Sequence, residues 1–332
     1  MRHKLIALLS LISLLTIDTL PVQAAGGLSM FGTPVKVEGM AADRLSAVWY
    51  KDQLHVVHGG KNSDAIWHAR WDGRQWSTNL VSNLPGRGTP ALAVFQGKLH
   101  MVYKGDNDTL WHATSEGRNW TSRGRIADQK SQYNPSMAVY PFGNPFTGQA
   151  GEMLWMWHGG GSKDTKRDVW FSFFDGSSWN DDVKMTGVSE NTLGLCMHDR
   201  YLYRSSVYAS GVNIMEFVGN SGWRPMETVP QGAKSTTPVS LVTDGDRLYT
   251  FYRHSRSEAG TEAPIHASVY TDRKWETPFP VQNFVSSDSP VAVAVPGKKA
   301  QIYLLFTRNK EIYFTSTLTL QPSLKPQIVP VK

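Results

Sequence analysis

The sequence predicts an all-β fold, a six-bladed β-propeller of four-stranded antiparallel blades closed by an N-terminal strand, and three observations predict it. A unit of about 45 to 58 residues recurs six times along the chain. Each unit holds four short runs rich in Val, Ile, Leu, Tyr and Trp, separated by Gly, Asn, Asp, Ser or Pro, which is how strands joined by turns look. No amphipathic helical run competes, and the even spacing leaves no linker that would divide the chain into two sandwiches. A unit of four short strands cannot bury both of its faces alone, so it stacks on its neighbours.

The elements follow in order. Residues 1–24 read as an export signal: Arg2, His3 and Lys4 precede an apolar run over 5–16, and Val22-Gln-Ala24 supplies the small-residue pattern of a cleavage site after Ala24. The apolar run is too short for a bilayer span, and no later stretch approaches the roughly 20 apolar residues such a span needs. Residues 25–332 then form one domain, with blades starting near 44, 90, 135, 193, 238 and 290. The second run of each unit is anchored on Leu54, Leu99, Leu154, Leu202, Leu248 and Ile302. The third is centred on Trp67, Trp111, Trp170, Ile214, Ile265 and Ile312. Trp76, Trp120, Trp179, Trp223 and Trp275 close five of the units. Residues 31–39 occupy the place of an outer strand without a blade of its own, and the sixth unit lacks a closing Trp. The N-terminal strand is therefore expected to complete the sixth blade, which removes an exposed sheet edge.

Composition excludes several classes. The chain of 332 residues is 40% hydrophobic and 11% aromatic with 12 Trp, which excludes disorder. Its net charge is +6 with no Lys/Arg run to track phosphates, so nucleic acid is not an expected partner. The single cysteine, Cys196, excludes an internal disulfide and a multi-cysteine zinc site, and is expected to be a small core residue. No cofactor motif is present and no metal is expected. The Asp/Asn turns at 104–108 and 243–246 read as hairpin turns, with calcium as the alternative.

In a propeller the loops from second to third strand share one face with the blade-to-blade connections, and loops on a rigid scaffold commonly carry function. Here those at 159–168 and 253–264 are long and charged. Four residues beyond the anchors comes a column of His58, Tyr103, His158, Ser206, Tyr252 and Phe306, followed by Lys104, Arg253, His254 and Arg308. His58, Tyr103, Lys104, His158, Tyr252, Arg253, His254, Arg308 and the loop acid Glu258 are the candidate ligand contacts. Flat rings beside hydrogen-bond donors suit a sugar or an anionic group. Trp49, Trp71, Trp155 and Trp157 depart from the repeat and read as candidates for ligand stacking. His55, His68, His100 and His112 read as exposed or half-buried positions. The loop-face carboxylates are scattered and no pair is enforced by spacing, so binding without chemistry is the expectation and no catalytic residue is assigned.

The runs Gly97-Lys-Leu-His-Met-Val-Tyr-Lys-Gly105, Thr109-Leu-Trp-His-Ala113 and Gly117-Arg-Asn-Trp120 resemble the repeat of secreted sugar-binding β-propellers, the fucose-type lectins of fungi and bacteria. The likeness extends over nearly all of residues 30–320. It implies monosaccharide pockets between adjacent blades, built from an Arg, a carboxylate and aromatic side chains, although no Arg/Glu pairing repeats blade by blade in this chain. The turns Asp72-Gly-Arg-Gln-Trp76 and Asp175-Gly-Ser-Ser-Trp179 are similar to the aspartate box of sialidases, with Asp and Gly adjacent and the leading Ser missing. That second likeness would place Arg204, Arg253, Arg308, Tyr252 and Glu258 in a sialidase-like site. The expected function is an exported binder of a glycan or glycoprotein with its site on the loop face. A scaffold for a protein partner is the alternative, followed by a sialidase-like hydrolase.

Overall fold

The computed structural model describes residues 31–317 except 43, 61–62, 146, 210, 220–221, 227–231 and 256–259. These residues form six antiparallel sheets that follow one another in chain order. Blade 1 is β2 (Leu45–Tyr50), β3 (Gln53–Gly60), β4 (Ser63–Trp71) and β5 (Trp76–Pro85); blade 2 is β6 (Arg87–Phe95), β7 (Lys98–Lys104), β8 (Thr109–Ser115) and β9 (Trp120–Lys130). Blade 3 is β10 (Ser136–Tyr140), β11 (Met153–Gly159), β12 (Asp168–Phe174) and β13 (Val183–Val188). Blade 4 is β14 (Gly194–His198), β15 (Tyr201–Tyr208), β16 (Gly211–Phe217) and β17 (Trp223–Pro225). Blade 5 is β18 (Ser240–Thr243), β19 (Leu248–Arg253) and β20 (Ala263–Thr271), with β21 (Lys274–Trp275) and β22 (Phe279–Ser286) both pairing β20. Blade 6 is β23 (Val291–Ala294), β24 (Ile302–Arg308) and β25 (Glu311–Ser316), completed by β1 (Val35–Ala41) in the order β1-β25-β24-β23. The expected closure is thus the observed one: Val35 faces Phe314 and Lys36 faces Tyr313 across the ladder.

Tight hairpins follow from turn chemistry. Lys51-Asp52 and Asp272-Arg273 both hold two residues at positive φ, as a two-residue turn matched to strand twist requires. Four of the blade-to-blade connections are held by buried serines. Ser131, Ser189, Ser235 and Ser286 each donate to the carbonyl two residues on, at 2.6, 2.7, 2.8 and 2.6 Å, and so set the corner that starts the next inner strand. The six inner strands surround a central cavity of about 240 Å³.

The core consists of six apolar clusters, one in each seam between adjacent blades. The anchor column Leu54, Leu99, Leu154, Leu202, Leu248 and Ile302 is fully buried, each member facing the preceding blade. Truncating one of them, as in Leu99→Ala, is expected to cost about 2–5 kcal/mol in chemical denaturation. The closing tryptophans also face the preceding blade. Two expectations are corrected here. Trp155 and Trp157 are buried and stacked with Phe171, while Trp49 lies flat on Tyr303 and Trp71 packs on Phe314, so all four serve seam packing. His55, His68, His100 and His112 are buried, because the face of a blade that points away from one neighbour points toward the other.

Cys196 lies half-buried on β14, and burial pushes its thiol up to about 12. At pH 8 the folded protein is expected to resist iodoacetamide and to be labelled only once denatured.

Candidate functional site

The structure places most of the predicted loop-face residues inside the blades. His58 is buried, with Nδ1 2.9 Å from the Gly59 carbonyl, and burial lowers its pKa. His158 is buried and bridges the Gly159 carbonyl at 2.8 Å and Asp182 Oδ1 at 2.9 Å. Tyr103 and Tyr252 are buried, and burial raises the pKa of both phenols. Arg253 is buried too, its Nε donating to the Thr261 carbonyl at 2.8 Å and thereby tying down the start and end of the long fifth-blade loop. Three members reach the surface, in blades 2, 5 and 6. Lys104 spans Asp108 and the Gln132 carbonyl at 3.2 and 3.1 Å. The half-buried His254 ring stacks on His266 at 4.1 Å, and Arg308 reaches Glu262 at 3.5 Å while lying over Tyr313. Glu258 falls outside the described residues. Arg204 packs over Trp223 in another part of the ring, so Arg204, Arg253 and Arg308 each serve a different partner.

The turns weighed for calcium hold their acids differently. Asp108 pairs with Lys104 and Asp106 with Arg87, while Asp244 accepts from the Asp246 and Arg247 amides and from the Tyr249 hydroxyl.

A more open arrangement lies on the opposite face. The residue after each anchor, His55, His100, Trp155, Tyr203, Tyr249 and Tyr303, points into the seam with the following blade, so the same slot recurs with different contents. Between blades 1 and 2, His55 and His68 fill it beneath Trp120. Between blades 2 and 3, His100 and His112 do so beneath Trp179. Trp155, Trp157 and Trp223 pack the next seam, and Tyr303 with Trp49 packs the seam that closes the ring.

Between blades 4 and 5 the slot opens into a pocket of about 510 Å³, lined among others by His198, Tyr201, Tyr203, Glu216, Arg224 and Tyr270. Glu216 stands across the β15–β16 ladder from Tyr203, and is buried. Arg224, on the neighbouring β17, clasps one carboxylate oxygen of Glu216 with Nε at 3.1 Å and Nη2 at 2.9 Å. The rings of Tyr203 and Tyr270 are 6.1 Å apart, and Tyr270 lies 5.1 Å from Trp275. Burial first, then the Glu216 charge, raises the pKa of both tyrosines, so both remain neutral donors near pH 7. His198 is held by Thr243 Oγ1 at 2.8 Å, and burial keeps it below its usual range. Carboxylate, guanidinium and phenol around aromatic surface can bind the hydroxyls and the C–H face of a small polar ligand. Sequence reasoning missed this set. Its trace is the charged Glu216 on a third strand where the register neighbours Thr114 and Phe173 are uncharged, and the tyrosines flanking anchor Leu202.

Over residues 17–138 the sequence matches the family described as the lipoprotein LpqB beta-propeller domain. No curated protein matches it. Among solved structures it is similar to AofleA from Arthrobotrys oligospora, with TM-score 0.62, 15% identity and 86% of each chain covered. It is also similar to the Aleuria aurantia lectin in complex with Fucα1-6GlcNAc, with TM-score 0.63, 11% identity, and 84% of this chain and 92% of that one covered. The Hadza microbial sialidase Hz136 follows at TM-score 0.58 and 13% identity, with 82% of this chain and 65% of that chain covered. Identities this low establish architecture alone: the chain has the six-bladed propeller fold also seen in the fucose-specific lectin of Aleuria aurantia.

Proposed function

We propose that the protein is an exported carbohydrate-binding propeller that holds a monosaccharide or disaccharide unit, without chemistry, in the pocket between blades 4 and 5. Export rests on the signal-like residues 1–24, with cleavage after Ala24 and residues 25–332 as one domain. No helix among the described residues is long and apolar enough to cross a membrane. The observation that carries the reading is the Glu216–Arg224 pair facing Tyr201, Tyr203 and Tyr270 in an open seam. A sugar hydroxyl that bridges a carboxylate and a guanidinium gains charge-assisted hydrogen bonds, while a ring face covers the phenols. The lectin folds of the comparison structures support this choice of ligand.

The test is a glycan array followed by calorimetry on the best binder, using the chain from Ala25. Glu216→Gln or Tyr270→Ala is expected to weaken binding by about 2 kcal/mol, roughly thirtyfold. Arg308→Ala is expected to leave it unchanged. Loss with Arg308→Ala and none with Tyr270→Ala would move the site to the loop face, among Lys104, His254 and Arg308. No binding to any glycan would remove the reading in favour of a protein partner.

A further inference from the structure

We propose that the seam between blades 1 and 2 carries a separate oxyanion site, in which Arg70 and Arg118 receive the carboxylate of an acidic sugar unit. Arg70 stands across the ladder from His55, the register in which blade 4 places Glu216 across from Tyr203. The same slot thus carries a carboxylate in one seam and a guanidinium in another.

The guanidinium is poised but uncompensated. Arg70 is half-buried, and its Nε is shut off from solvent with no hydrogen-bond partner. Neither Arg70 nor Arg118 has a carboxylate partner among the described residues. Arg118 brings like charge close enough to add to burial in lowering the pKa of Arg70. The neighbouring acids are committed elsewhere: Glu116 pairs with Lys98, and Asp72 accepts the Arg74 and Gln75 amides of its own turn.

The turn that presents Arg118 is fixed over the seam. Gly117 donates to Ser115 Oγ at 3.0 Å, Lys51 reaches the Glu116 carbonyl at 3.4 Å, and a Cβ on Gly117 would meet Tyr50 and His55 at 3.7 and 3.8 Å. Trp120, two residues on, is tied to His68 of blade 1. The imidazoles beneath are neutral, so the positive charge of the site comes from two planar guanidinium forks, which match a planar carboxylate. A half-buried cation without a counter-charge costs stability in the free protein, and a carboxylate ligand offsets that cost.

The experiment measures binding of glucuronate, glucose and inorganic phosphate by calorimetry at low and high salt. Glucuronate is expected to bind at least tenfold more tightly than glucose and to weaken as salt rises. Arg118→Ala, a change on an exposed turn, is expected to lose at least tenfold of the glucuronate affinity while leaving Tm unchanged. Arg70→Gln is expected to abolish glucuronate binding and to raise the Tm of the unliganded protein. Equal binding of glucose and glucuronate, or glucuronate binding that survives Arg118→Ala, would overturn the proposal. Phosphate binding as tight as that of glucuronate would overturn the assignment to a sugar. Tyr270→Ala serves as the reference for the other seam: it is expected to leave glucuronate binding intact, so failure here and failure of the blade 4/5 pocket are told apart.

Discussion

Val37→Asp is expected to abolish cooperative folding, and removal of residues 31–41 to do the same. Val37 is buried in the seam between blades 6 and 1, beside Leu54, Leu305 and Ile312, on the strand that closes the ring. A carboxylate there has no partner to compensate for lost hydration, a penalty of roughly 4 kcal/mol or more. That is a large share of the roughly 5–15 kcal/mol that holds a typical domain together. Closure is also held by specific hydrogen bonds. The Gly32 amide donates to the Ser316 carbonyl at 2.9 Å, Thr315 Oγ1 donates to the Gly32 carbonyl at 2.7 Å, and Gln282 binds the Phe31 backbone at both ends of its amide. Without β1, strand β25 becomes an unpaired edge, and such edges recruit other chains. Thermal unfolding followed by circular dichroism, together with size-exclusion chromatography, is expected to show a broad, early transition and higher-order species. Val37→Ala, which removes two carbons, is expected to cost only about 2 kcal/mol and to stay monodisperse. If Val37→Asp unfolds cooperatively near the wild-type midpoint, the ring does not depend on this strand.

Acid is expected to unfold the protein in a window set by its buried histidines. Because an indole N–H only donates, Trp120 fixes His68 as acceptor at Nδ1 across 3.2 Å. His68 then carries its proton on Nε2 and donates to His55 Nδ1 at 3.0 Å. Trp179, His112 and His100 repeat the chain one seam later, at 3.2 and 3.0 Å. Burial holds His55 and His100 down to about 4, and His68 and His112 to about 3.

In the unfolded chain these rings titrate near 6.5. Stability from keeping them neutral is therefore fully present above about pH 6.5. It falls as pH drops toward 4 and then 3, because the unfolded state takes up protons that the folded state refuses. Each such ring costs about 1.4 kcal/mol per pH unit, so the four together are worth on the order of 5 kcal/mol per unit. The carboxylates lose their contribution later. Asp175, held at about 2 by the Ser178 and Ser177 amides and the Ser177 hydroxyl, matters only below about pH 4. Urea denaturation from pH 7.5 to 4.5 is expected to show stability falling steeply below pH 6.5. The double change His100→Gln with His112→Gln should take roughly 3 kcal/mol per pH unit off that slope, whatever it does to stability at pH 7.5. A flat profile between pH 7 and 5 would rule the mechanism out.

Much of the architecture is legible in the chain itself. Leu99, Trp111 and Trp120 recur in the order second strand, third strand, outer strand, and the missing sixth Trp together with the surplus run at 31–39 announces the closure seen at β1 and β25. These features repeat because each blade solves the same packing problem with local contacts, so a single unit displays the rule.

Burial was harder to read, since strand alternation assigns His55 and His68 to one face without revealing that in a propeller both faces of a blade are covered. His58, His158 and Arg253 mark the ends of second strands as the repeat suggests, but whether such an end meets solvent depends on the connection folded over it. The pocket was invisible for a related reason. Glu216 and Tyr270 belong to different blades, and their meeting is a property of a seam rather than of a repeat. The chain alone determines the number of blades, their order and how the ring is sealed, because strand period and turn chemistry act locally. Which seam is packed tight and which is left open is decided only when two unlike blade faces come together, since it depends on the volume and charge that each brings to the space between them.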